Sequence, residues 1–117
     1  MINISVDEAQ AFDCLTILLV KEARIHTAQT HKDSISCFDS IRQQIGGVLL
    51  EEVLASEEYI GLFDVNSRLF DVLERVRSEE KIDAKVVDGL NLDRWKLKKQ
   101  LQKRFFGSDI SEVKTKI

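Results

Sequence analysis

At 117 residues, with 44% apolar and 32% charged side chains, the chain is long enough for one hydrophobic core and too short for two. That balance excludes intrinsic disorder, and the most apolar run, Leu15 to Val20, is far too short to cross a membrane. The net charge of -3 hides an asymmetry: Met1–Asp93 carries 9 basic and 18 acidic residues, whereas Arg94–Ile117 carries 8 basic and 2 acidic. A basic end on an acidic body is suited to an anionic partner or to the acidic part of a second copy.

No leader is read at the start, so a cytoplasmic location is expected. The absence of proline favours long helices with short connections. Cys14 and Cys37 lie far apart and form no C-x-x-C, which reads as two half-buried thiols rather than a zinc site or a disulfide framework.

In chain order, Ser5-Val6-Asp7-Glu8 has the pattern of a capping box and opens a first helix expected to run to about Thr27. Phe12, Leu15, Leu18, Leu19 and Ile25 give it an apolar face, and Glu22 falls inside that face. Thr27–Lys32 reads as a connection, with His26 and His31 as exposed histidines that lack further metal ligands. A second helix is expected from about Asp33, striped by Ile35, Phe38, Ile41 and Ile45. Gly46-Gly47 interrupts it, because two adjacent glycines cost a helix interior about 2 kcal/mol. Without Gly-Lys-Ser/Thr this is no phosphate loop.

Val48–Leu54 is helical in pattern, and Ser56-Glu57-Glu58-Tyr59 is a fresh helix start. The next stripe is Leu62, Asn66, Leu69, Leu73 and Val76, with asparagine near the middle of the apolar arc. After the link Glu79–Asp83, with Asp83 as N-cap, a last stripe runs Val87, Leu90, Arg94, Leu97, Leu101 and Phe105 before Gly107 stops it. These elements predict an all-α, largely antiparallel bundle of about four helices in one domain, 1–117, ending in a polar tail over 107–117 that can dock on the bundle.

Three core-facing polar residues, Glu22, Asn66 and Arg94, sit on different predicted helices. A buried charge needs a partner, so the expected arrangement is an Arg94–Glu22 pair completed by Asn66, which fixes helix register. The functional alternative is a pocket in which Asn66, Asn91, Arg94 and Lys98, with Lys21, receive a phosphate, a carboxylate or a nucleotide. Leu92, Trp95 and Phe106 form a second apolar patch, expected to bury itself in a homodimer contact or under the tail. The basic segment 94–104, interleaved with aromatics, has the look of a nucleic-acid contact, but an acidic body repels a phosphate backbone and a solvated face is the simpler reading.

Glu51-Glu52 and Glu57-Glu58 suggest the magnesium-holding carboxylates of helical pyrophosphohydrolases. Those need Glu-Glu-x-x-Glu, and here the last position is Ala55 or Gly61. No metal and no cofactor are therefore expected.

Asp13-Cys14-Leu15-Thr16-Ile17-Leu18 with Lys21, Asn66-Ser67-Arg68-Leu69-Phe70-Asp71, Asn91-x-x-Arg94-x-x-x-Lys98, and Gly107-Ser108 with Glu112-x-Lys114 together resemble a family of small helical proteins from bacteria and marine tailed phages. The resemblance covers most of the chain and departs at Cys14, where a lysine is usual, and at Leu19, where an acid is usual. That family has no assigned activity. The resemblance implies matched positions at Asp13, Lys21, Asn66, Asn91, Arg94, Lys98, Glu112 and Lys114. The shared polarity of the tail and the Arg94 ridge suggests in addition that Glu112 and Lys114 close over that ridge as a lid. The expectation from sequence is thus a non-enzymatic, dimeric interaction module, with small-anion binding as the alternative and nucleic-acid binding third.

Overall fold

The computed structural model describes residues 5–110. Among them are five helices: α1 (Glu8–Arg24), α2 (Ala28–Ile45), α3 (Gly47–Leu54), α4 (Glu57–Arg77) and α5 (Ala84–Phe106). The fifth, beyond the four expected, is the short α3. It begins where Gly46 adopts φ +85° and ψ 158°, a backbone region open essentially to glycine alone. The glycine pair thus breaks the helix rather than bending it.

Two boundaries differ from expectation. Thr27 and Thr30 exchange side-chain and backbone hydrogen bonds at 3.1 Å in a reciprocal cap, so α2 starts at Ala28 and α1 ends at Arg24. His31 consequently lies in the first turns of a helix, not in a loop. At the other end of α1, the cap is Asp7 rather than Ser5. The orphan backbone N–H of Ala9 donates instead to Gln102 Oε1 on α5 at 2.9 Å. The expected starts of α4 and α5 hold: Ser56 Oγ accepts from the Tyr59 N–H, and Asp83 Oδ1 from the Lys85 N–H. Gly107, at φ +69°, ends α5.

α1 is the central element and packs on α2, α4 and α5. Its contacts pair rising with falling numbers against α5 (Ala9 with Gln102, Asp13 with Arg94) but rising with rising numbers against α4 (Thr16 with Asn66, Arg24 with Asp71). α1 is therefore antiparallel to α5 and parallel to α4. The apolar core gathers Ala9, Phe12, Leu15, Leu50, Val53, Tyr59 and Leu101. Phe12 meets the Tyr59 ring edge-on at 6.1 Å and lies against Phe106 at 6.4 Å. At Gly61 an added Cβ would lie 3.1 Å from Leu97, so glycine lets α4 and α5 approach closely there.

This core occupies one end of the bundle. Toward the other, the α4 stripe that buries Leu62 and Leu69 continues into Leu73 and Val76, which are 51% and 48% exposed. Arg24 marks the limit of α1; it reaches α4 through an ion pair with Asp71 and stacks over Phe70 at 5.2 Å. The α4–α5 hairpin runs on past that point.

Candidate functional site

The polar residues inside the apolar stripes converge on one carboxylate. Asp13, on α1, is fully buried. Arg94 reaches it from α5 with a two-pronged contact, Nε to Oδ1 at 2.9 Å and Nη2 to Oδ2. Asn66 reaches it from α4, donating through Nδ2 to Asp13 Oδ1 at 2.9 Å and to Thr16 Oγ1 at 2.6 Å. The Thr16 hydroxyl donates to the Asp13 backbone carbonyl at 2.7 Å, so its oxygen is left to accept. These bonds tie two helices, α4 and α5, to a single turn of α1.

The hydrogen bond to Asp13 holds the Arg94 guanidinium above its ordinary pKa. Lys98 lies one turn further along α5, its Nζ 4.0 Å from Asp13 Oδ2 and donating to Gln10 Oε1. Burial pushes the Lys98 ammonium down, against the pull of Asp13, and the neighbouring Arg94 adds to the push.

The expected Arg94–Glu22 pair does not form. Nine residues separate Asp13 from Glu22, which at about 100° per residue puts them on opposite sides of α1. Glu22 faces α2, where it accepts from Ser34 Oγ at 2.6 Å and pairs with His31 Nδ1. The Ser34 and His31 hydrogen bonds lower its pKa.

Beside the Asp13 knot a groove of about 380 Å³ opens between α1, α4 and α5. Ile17, Val20, Leu69, Phe70, Leu73 and Val87 form its walls. Asn66 and Arg94 form a polar end, and Lys21, Asn91 and the Glu74–Arg77 pair, 3.0 Å apart, stand around it. Lys21 and Asn91 are exposed, Asn66 is buried and Arg94 is half-buried. Counting Lys98 behind Arg94, four cationic side chains meet two anionic ones, Asp13 and Glu74, in a chain of net charge -3.

Of the residues named from sequence, Lys21, Asn66, Asn91 and Arg94 thus share one groove. Lys98 belongs to the knot but does not line the groove, Glu22 lies elsewhere, and Glu112 and Lys114 fall outside the described residues. Leu92 and Trp95 are about half exposed on the outer face of α5, with Lys99 Nζ 5.0 Å from the Trp95 ring. Phe106, grouped with them by sequence, instead packs on Phe12 in the core. Only the start of the tail is described: Ser108 Oγ accepts from Gln102, and Asp109 lies 3.7 Å from Lys99.

Thr16, Gln10, Gln102 and Arg24 do not interrupt an apolar stripe and so carry no periodicity signal, and Asp13 is marked in the sequence only by the family resemblance. For Gln102 the available signal is the four-residue step Arg94, Lys98, Gln102, which continues the polar ridge of α5. Among the described residues, no group of three histidine, cysteine or acidic side chains is arranged to hold a metal ion. Glu58 accepts two hydrogen bonds from Arg104 at 2.7 and 2.9 Å instead. No helix among the described residues is long and apolar enough to cross a membrane. Comparison of the chain with known protein families, curated proteins and solved structures finds no match, so the reading of the groove rests on its own chemistry.

Proposed function

We propose that this chain is a binding module whose α1/α4/α5 groove takes a small amphipathic anion, its apolar body along Val20, Leu69 and Leu73 and its anionic head at Arg94 and Lys21. The observation that carries this reading is the lining itself. A groove of about 380 Å³ with mostly apolar walls and a few convergent polar groups has the character of a small-molecule site. Arg94 comes to it pre-oriented, since Asp13 fixes the guanidinium through Nε and Nη2 while its remaining N–H groups stay available.

Titration of the protein with decanoate, followed by methyl NMR, tests the proposal. The methyls of Val20, Leu69 and Leu73 are expected to shift together and to saturate, and the melting temperature to rise with ligand concentration. Lys21→Glu at the exposed rim weakens binding by about fivefold, as reversal of one partly screened charge contact should. Unmoved groove methyls at millimolar decanoate would overturn the proposal.

A second reading, self-association through the outer face of α5, draws support from the half-exposed Leu92 and Trp95. It expects a concentration-dependent sedimentation coefficient that Trp95→Glu abolishes. A constant monomer at high concentration rejects it.

A further inference from the structure

We infer that the groove discriminates among amphipathic carboxylates in favour of those bearing an N–H or O–H donor next to the carboxylate, and that the side-chain carbonyl of Asn66 reads that donor. The inference rests on the groove-binding proposal above and adds the ligand class.

Asn66 is 5% exposed, and its amide is not free to turn. Both of its N–H bonds are committed to α1, one to a carboxylate oxygen and one to a hydroxyl whose own hydrogen is already given to a carbonyl. Turning the amide over would set its oxygen against two acceptors. The carbonyl oxygen Oδ1 must therefore point away from α1, and it has no donor among the described residues. No side-chain nitrogen or oxygen fully sealed from solvent lacks a partner among those residues, so Oδ1 reaches the open space it borders, which is the groove.

An apolar ligand that enters displaces the water this oxygen would otherwise accept from. A plain fatty acid leaves Oδ1 dry, whereas a 2-hydroxy or 2-amido acid supplies the donor. The spacing fits a donor adjacent to the carboxylate: Asn66 Nδ2 and Arg94 Nε both lie 2.9 Å from the same Asp13 oxygen, so the amide and the guanidinium are immediate neighbours.

The test uses the intact, unaltered chain and three matched probes: decanoate, 2-hydroxydecanoate and 2-methoxydecanoate, each titrated below its micellar concentration while the groove methyls are followed. 2-Hydroxydecanoate is expected to bind about fivefold tighter than decanoate, the worth of one net hydrogen bond, and 2-methoxydecanoate no tighter than decanoate. Equal binding of decanoate and 2-hydroxydecanoate would overturn the donor rule while leaving the groove proposal standing, as would a methoxy compound that gains as much as the hydroxy. If none of the three moves the Val20, Leu69 and Leu73 methyls, the groove proposal fails and this inference fails with it.

Discussion

Asp13 holds two cations at once, Arg94 in a two-pronged contact and Lys98 at 4.0 Å. Asp13→Asn keeps the shape and removes the charge, leaving a half-buried guanidinium and a half-buried ammonium uncompensated. We expect urea unfolding to register a loss of about 3 kcal/mol, at the low end for breaking a buried pair because Arg94 keeps some solvent. Asp13→Leu combined with Arg94→Met and Lys98→Met should cost less than the single change, since no orphan charge is then left behind. Lys98 offers a test by pH. Its pKa in the folded chain is below the ordinary lysine value near 10.4, so between the two the unfolded chain binds the extra proton and stability rises with pH. Tyr59, pushed up to about 12 by burial, acts in the opposite sense above pH 10. Comparing the wild type with Lys98→Met between pH 8 and 10 cancels the Tyr59 effect, and the wild type alone should show the alkaline gain. Asn66 and Arg94 were legible in the sequence because each interrupts a single clean stripe. Asp13 was hidden because α1 is buried on two sides: the stripe through Leu15, Leu18 and Leu19 describes one of them, while Asp13 lies on the other, beside Ala9 and Thr16.

The helices themselves follow from local rules that the sequence carries openly: a hydroxyl or carboxylate cap before α4 and α5, a left-handed glycine after α5, and no proline anywhere. Periodicity does not reveal the end of α1 or the start of α2, where the Thr27–Thr30 cap outcompetes continuation of the first helix. Two glycines separate backbone necessity from mere tolerance. At Gly46 an added Cβ meets nothing within 4 Å, yet φ +85° with ψ 158° is strained for any other residue, so Gly46→Ala should cost about 2 kcal/mol. Gly89 lies inside α5, has no positive φ and likewise has open space around its Cβ position, so Gly89→Ala should stabilise by about 0.8 kcal/mol. Chemical denaturation of the two variants should therefore move the midpoint in opposite directions. A loss at Gly89 would mean that something covers that face of α5 in solution.

Across the whole molecule, burial is uneven from end to end. The second half of α5 contributes the buried Leu101 and Gln102, whereas its first half, 84–93, has no buried residue and only Val87 and Leu90 half-buried. The groove lies against that thinner half. Local opening requires the loss of fewer apolar contacts there, so amide hydrogen exchange should be about tenfold faster around Val87 to Asn91 than around Lys98 to Gln102. Such softness is what a site needs if its occupant enters by parting α5 from α1. A ligand that binds only the closed arrangement must then slow exchange in that first half by a factor that grows with its concentration, while the already protected Leu101 turn changes little until the whole chain unfolds. Exchange mapped with and without decanoate measures both effects in one experiment. Equal protection along all of α5, with or without ligand, would mean that the helix is clamped by something stronger than the contacts described here, and that the groove is a seam of the fold rather than a door into it.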